Sequence, residues 1–384
     1  MQKIKLGANM IYFGEKALMA LSDLKGSMNK ALIVESGTIL QTLGIESELT
    51  ELLSAADIDY QIFNNVGPEP AYKDIEKGVV LANAFQPDWI IGLGGGSAMD
   101  AAKIIWAIYE NPELTSIDEL AKPNNIKSLR KKARLCCITT TAGTGSEVTR
   151  AAVFTDEESK RKIAIADSIN LRLVPDIAIL DPQLTMTMPP SLTASTGMDA
   201  LTHAVEAFLS KRSNVFSDGM AVAAYKLINK NLLNSYNQPK VYEYKANMLA
   251  ASTMAGIAFS NGGLGICHSL AHVLGAKLKV AHGMANAILL PYVIELLKGY
   301  PACCLRISQL ESETGTADLT VSIRNLNASL HIPDSFKTLN STNYDWFMQM
   351  EELIDLTLAD PNTKNSPVEP TRAELKMIIT SAFK

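Results

Sequence analysis

The spacing of short, continuously apolar runs constrains this chain most. "KALIVES" (Lys30 to Ser36), "IDYQIFN" (Ile58 to Asn64), "PDWIIGLGGGS" (Pro87 to Ser97) and "RLCCITTTAGT" (Arg134 to Thr144) each read as a buried strand. Helical stretches separate them, from about Thr38 to Ala55 and from Tyr72 to Ala84. "AAVFTD", "RKIAIAD" and "PDIAILDP" are shorter strand candidates further on. Strands apolar on both faces, interleaved with helices, predict a parallel sheet covered by helices on both sides.

The texture changes at "DPQLTMTMPPSLTASTG" (Asp181 to Gly197), where adjacent prolines break any regular element. Beyond it the β-rich runs stop and Ala, Leu and Met recur at helical spacing. In "GMDALTHAVEAFLS", Met198, Leu201, Val205, Phe208 and Leu209 mark one buried helix face. The sequence therefore divides into an α/β domain over residues 1–185, with a Rossmann-like parallel sheet, and an all-α domain over residues 186–384. A length of 384 residues suits two domains. After Ile332 the pattern is less regular, with helices expected near Asp345 to Leu358 and Thr371 to Ala382.

Composition excludes several function classes. The formal net charge is −5, and no basic run is long enough for a nucleic-acid face. Lys127, Arg130, Lys131, Lys132 and Arg134 cluster, and read as a solvated loop. No apolar stretch approaches the roughly 18 residues of a membrane span, and the N-terminus lacks the pattern of a signal peptide. The five cysteines form neither a disulfide framework nor a CxxC pair, which predicts reduced thiols and a cytoplasmic location.

"GLGGGSAMDAAK" (Gly92 to Lys103) follows an apolar strand and opens a helix. Glycines there let a diphosphate approach the backbone, and helix-start N–H groups face the anion. The alternative is a plain tight turn, with Ser97 and Asp100 at the S-x-x-D spacing of a helix cap. The loop is neither a Walker A nor a standard GxGxxG. Because it follows the third apolar run, any ribose-binding acid should lie earlier, at the end of "ALIV", where Glu35 and Ser36 stand. "TTTAGTGSEVT" (Thr139 to Thr149) is a second loop at a strand end. It reads either as a hydroxyl-rich cofactor contact or as a Thr-rich turn.

Asp199 and His203 are one helical turn apart, as are His268 and His272, and His282 follows. Four of the five histidines thus gather in an apolar helical segment. Three imidazoles and a carboxylate suit a divalent transition metal; satisfied core histidines are the bland alternative. "HSLAH" lacks the glutamate of a HExxH protease.

The motifs "GGGSAMDAAK", "TTAGTGSEVT", "LTASTGMDALTHAVEA" and "GICHSLAHVLGAKLKVAHGMANAILLP" together resemble the iron-containing (group III) alcohol dehydrogenase family. The resemblance implies a dehydroquinate-synthase-like pair of domains, one holding NAD or NADP and the other one divalent metal, Fe2+ with Zn2+ fitting the same donors. It implies Asp199, His203, His268 and His282 as ligands and His272 as the non-ligand histidine beside the reacting groups. Gly94, Gly95, Gly96, Ser97 and Asp100 fall in the diphosphate loop. Thr140, Thr141, Thr144 and Lys162 fall at the cofactor, and Thr149, Phe259 and His272 at the substrate. Ser36 replaces the Asp with which many NAD-using members repel a 2′-phosphate, and Glu69 replaces a common Asn, so NAD and NADP both remain open.

The implied reaction interconverts a small primary alcohol and its aldehyde, such as a diol, lactaldehyde, semialdehyde or sulfonated aldehyde. His272 or the ribose hydroxyls would carry the proton, and the chain would form a homodimer or larger homo-oligomer. A lyase of the dehydroquinate-synthase type and a non-catalytic nucleotide- or metal-binding scaffold are the alternatives.

Overall fold

A computed structural model describes residues 3–114, 116–122, 125–157, 161–167, 170–339 and 344–384. The chain forms two units, Met1–Thr187 and Met188–Lys384.

In the first unit the elements are β1 (Met10–Phe13), β2 (Lys30–Glu35), α1 (Ile39–Thr42), α2 (Ile45–Ala55), β3 (Asp59–Phe63), α3 (Tyr72–Phe85), β4 (Trp89–Gly94), α4 (Gly96–Glu110), α5 (Ile117–Ala121), β5 (Arg134–Thr139), β6 (Ala151–Asp156), β7 (Arg161–Ala166) and β8 (Ile177–Leu180). Six strands make one sheet in the order β1-β8-β5-β4-β2-β3, every pair parallel.

Strand alternation explains why these runs are apolar throughout. Ala31, Ile33, Ile91, Cys136 and Ile138 face one core with Leu49 and Leu53 of α2. Leu32, Val34, Ile90, Leu135 and Cys137 face a second core with Ile75 of α3 and Ile104 and Ile105 of α4. Each central strand is therefore buried on both faces, as a helix-covered parallel sheet requires.

Three local expectations change. The helix expected over Thr38 to Ala55 is two helices, interrupted where Gly44 takes φ +77°. β6 and β7 do not join the main sheet but pair antiparallel as a separate hairpin. The basic loop is anchored rather than merely solvated. Arg130 Nε pairs with Asp176 at 2.7 Å, and Glu110 accepts the backbone N–H groups of Lys131, Lys132 and Ala133.

The second unit contains α6 (Pro190–Leu209), α7 (Val215–Asn237), α8 (Tyr242–Gly262), α9 (Ile266–Leu278), α10 (His282–Lys298), α11 (Pro301–Thr314), α12 (Leu319–Ser329), α13 (Met350–Ala359) and α14 (Arg372–Ala382). No strand lies among its described residues. α6 packs against α7, α8 and α10, so it is buried nearly all round rather than on one face. Its polar residues therefore need partners inside the unit. α6 and α10 approach closely at Gly283, where a Cβ would stand 2.1 Å from the Ser195 carbonyl oxygen and 3.0 Å from Asp199 Cβ. Among the described residues no helix is long and apolar enough to cross a membrane.

Candidate active site

In the first unit β4 ends at Gly94 and α4 starts at Gly96, with Gly95 as its N-cap and no side-chain cap. The expected cap is absent because Ser97 and Asp100 are used elsewhere. The Ser97 hydroxyl donates to the Pro68 carbonyl. Asp100 accepts from Ser146 Oγ at 2.6 Å and from the Val153 N–H at 2.9 Å. The loop therefore opens a fifteen-residue helix with no side chain capping its N-terminus, the arrangement that favours an anion.

The threonine loop lies directly against it. The Thr140 N–H donates to the Gly94 carbonyl at 3.0 Å. A Cβ on Gly96 would stand 2.8 Å from Thr144 Cγ2, and one on Gly95 would stand 3.4 Å from Thr141 Oγ1. Buried Lys103 fixes this packing. Its Nζ donates to the Ser146 carbonyl at 2.7 Å, and to Ser146 Oγ, Thr149 Oγ1 and the Ala151 carbonyl at 2.9 Å each. Burial lowers the Lys103 pKa while the Asp100 charge opposes that shift. Thr149 also approaches the Ser146 and Ala151 carbonyls, so its hydroxyl is committed and only its methyl remains for other contacts.

Lys162 Nζ pairs with Glu69 Oε1 at 2.7 Å, which brings together a residue expected at the cofactor and the one that replaces a common Asn. At the end of β2, Ser36 Oγ is buried with no hydrogen-bond partner. Adjacent Glu35 is fully buried. Burial, and then the neighbouring Glu46 carboxyl group, push its pKa up to about 8.

In the second unit, ligand atoms of Asp199, His268 and His282 lie within 4.8 Å of one another. Asp199 Oδ1 is 3.9 Å from His268 Nε2 and 3.7 Å from His282 Nε2. Donors bonded at 2.0–2.2 Å to one tetrahedral ion stand roughly 3.4 Å apart, so the set fits a single cation with slight contraction. His203 stands beside these three rather than among them. Its ring stacks on Phe259 at 4.4 Å and on His268 at 4.7 Å, so the structure converges three of the four expected ligands.

The surroundings favour a cation. Burial raises the Asp199 pKa, opposed by His203 and by Asn286. Burial also drives His268 well below the usual histidine range, which keeps its imidazole neutral and able to bind a metal. Asn286, one turn beyond His282 on α10, turns its Nδ2 to all three ligand atoms: 2.8 Å to Asp199 Oδ1, 3.3 Å to His268 Nε2 and 3.2 Å to His282 Nε2. The Asn286 side chain thus marks the point towards which the three ligand atoms converge.

His272 lies one turn beyond His268 on α9. Its ring stacks on His282 at 5.2 Å, and its Nδ1 is 2.8 Å from Asp360 Oδ2. Burial would raise the Asp360 pKa, but the hydrogen bond and charge of His272 prevail and hold it below the ordinary value. Sequence reasoning missed Glu206, Asn286 and Asp360. Glu206 continues the Asp199, His203 stripe at i+7, and Asn286 follows His282 at i+4, so helical spacing could have found both. Asp360 ends α13 and carries no such signal.

The chain matches the family model for iron-containing alcohol dehydrogenase over residues 8–182. It matches that for the C-terminal part of the Fe-containing alcohol dehydrogenase family over residues 193–383. It is 37% identical to the NADPH-dependent butanol dehydrogenase of Clostridium saccharobutylicum, across 97% of this chain and 96% of that one. It is 36% identical to the bifunctional aldehyde-alcohol dehydrogenase AdhE of Escherichia coli (strain K12), across 97% of this chain, and spans 45% of that longer protein. Among solved structures, an iron-containing alcohol dehydrogenase from Thermococcus thioreducens matches with TM-score 0.89 and 32% identity over 99% of each chain. With both units matched in turn and three ligand positions brought together, this chain belongs to the iron-containing alcohol dehydrogenase family, oxidoreductases that act on the CH–OH group of their donors.

Proposed function

We propose that this enzyme reduces a small aldehyde to its primary alcohol, and runs the reverse, with a nicotinamide cofactor and one divalent cation. The observation that carries the reading is the convergence of Asp199, His268 and His282 with the His272–Asp360 pair one turn further along α9.

Asp199, His268 and His282 would hold the cation, and His203, whose ring stacks on His268, is the neighbour that would supply a fourth ligand. Fe2+ is the family's metal and Zn2+ suits the same donors. When bound, the cation would supply Lewis acidity for a substrate oxygen, and the nicotinamide would supply hydride-transfer chemistry. The remaining work belongs to this chain's own residues. The N-terminus of α4, with Gly94, Gly95, Gly96 and Ser97, binds the cofactor diphosphate. Thr140, Thr141, Thr144 and Lys162 line the cofactor. Asp100 supports the loop through Ser146 and Val153. Asp360 accepts from Nδ1 of His272, which leaves Nε2 as the atom that holds or delivers the proton. Phe259 and His272 line the substrate.

Ser36 offers no carboxylate to repel a 2′-phosphate, and the butanol dehydrogenase relative is named NADPH-dependent; both support NADP over NAD. Residues 1–185 form the nucleotide domain and residues 186–384 the metal and substrate domain. Cysteines that are all free support a cytoplasmic location. Half-exposed Met10 and Phe13 on edge strand β1 support assembly into a homodimer or larger homo-oligomer.

A panel of small aldehydes with NADH and NADPH, and Fe2+ or Zn2+ supplied, tests the reading through nicotinamide absorbance. Turnover should vanish on chelation and in His268→Ala, while nucleotide binding persists. Undiminished turnover in either case removes the cation from the reaction. Metal-dependent conversion without net nicotinamide oxidation points to a lyase instead.

A further inference from the structure

Glu206 has no place in the reaction described above, yet both its carboxylate oxygens are committed. It lies on α6, 5% exposed. Oε1 accepts the Cys267 backbone N–H at 2.8 Å. Oε2 accepts the His268 backbone N–H at 3.3 Å and lies 2.5 Å from His268 Nδ1. These residues form the first turn of α9, whose N-cap is Gly265, with no side chain to do the capping. Glu206 thus caps α9 from a neighbouring helix and grips the ring of the ligand on that same turn. The fit is tight, since a Cβ on Gly265 would stand 2.8 Å from Glu206 Oε1.

We propose that Glu206 is the positioning residue of the cation site. It pins the proton of His268 on Nδ1, so that the Nε2 lone pair is the atom aimed at the cation. The proposal rests on the metal reading above. A carboxylate in this place fixes the tautomer and orientation of a ligating histidine and raises its basicity. Three acceptor demands meet at two oxygens, and only a carboxylate meets them all. In Glu206→Gln the amide NH2 must face either the Cys267 N–H or His268 Nδ1. The first opposes two donors. The second sets the amide against the His268 N–H, and where Nδ1 then accepts, the ring proton moves to Nε2, the atom that should bind metal. Glu206→Asp keeps the acceptor chemistry but shortens the reach. Gly265→Ala keeps every ligand and charge and displaces the carboxylate.

The test titrates Co2+ into metal-stripped full-length chain against a competing chelator, and reads the His268 tautomer by nitrogen NMR of the imidazole. Wild type should bind one ion with the His268 proton on Nδ1. Glu206→Gln should bind about 10–100-fold more weakly, with any shift of the His268 proton towards Nε2 read in the same NMR experiment, and Glu206→Asp should fall between. Where Glu206→Gln fails to fold, Gly265→Ala carries the test and should weaken Co2+ in the same direction. Co2+ affinity within about twofold of wild type in Glu206→Gln, or in Gly265→Ala if that variant carries the test, with the proton still on Nδ1, overturns the proposal. A wild-type chain that takes up no Co2+ overturns the metal reading instead.

Discussion

Asp360 holds His272 by one oxygen and the chain by the other. Oδ2 is 2.8 Å from His272 Nδ1, while Oδ1 accepts from Ser269 Oγ at 3.1 Å and from the Asn362 N–H at 2.8 Å. The ring is therefore held by a carboxylate at the C-terminus of α13, which Ser269 of α9 also grips. His272→Ala should lose the 10²–10⁴-fold typical of a positioned proton-transfer group. Asp360→Asn should lose about tenfold or more in kcat with KM and bound metal little changed. Steady-state kinetics beside a metal assay decide this; wild-type kcat in Asp360→Asn would mean that the pair is only structural.

Cofactor choice should respond to Ser36. Its buried hydroxyl has no partner, so Ser36→Asp places a carboxylate at the end of β2 without breaking a bond. NADPH should lose ground to NADH by about tenfold or more in kcat/KM, since like charges now meet. An unchanged NADH-to-NADPH ratio would place the ribose elsewhere.

Glu35 predicts a pH-dependent stability. Its folded pKa is raised to about 8 by burial and by Glu46, from an ordinary value of 4.5. Between those values the folded chain keeps a proton that the unfolded chain releases. The stability associated with the neutral acid is thus present below pH 4.5 and lost as pH rises through about 8. Glu35→Gln removes that slope. Between pH 5 and pH 9 its Tm should gain on wild type by at least the roughly 2–4 °C that one kcal/mol moves a unit of this size. Parallel Tm curves for the two proteins would count against a protonated Glu35.

Gly283 predicts a coupled loss of packing and metal. A methyl there meets the Ser195 carbonyl oxygen at 2.1 Å, and backbone cannot rotate aside as a side-chain tip can. Gly283→Ala should cost at least the upper part of the roughly 1–3 kcal/mol usual for overpacking. Pushing α10 from α6 also moves His282 from Asp199, so metal content should fall with Tm. Calorimetry and a metal assay on one preparation test this; lowered Tm with full metal would uncouple the two.

The elements legible in the sequence were those whose burial is uniform. Ile33, Ile91 and Ile138 lie in apolar runs because both sheet faces are covered, and such runs announce themselves. β1 was not foreseen: it has four residues, and Met10 and Phe13 are about half exposed, so neither length nor burial marks it. The β6–β7 hairpin was legible as strands but not as a separate sheet, since partner choice depends on tertiary packing. At the site, His268 and His282 stood out because histidine is scarce. Glu206 and Asp360 did not, because a lone carboxylate in a helical segment usually faces water. Their roles come from partners 62 and 88 positions away.

α9 gives two adjacent turns opposite duties. His268 answers to α6 through Glu206 and His272 to α13 through Asp360, yet both rings ride on one rigid rod. Any twist of that rod shifts the proposed ligand His268 and the proposed proton carrier His272 in concert. Tuning this catalyst for a new substrate would therefore have to proceed around α9, because along it neither function can drift without dragging the other.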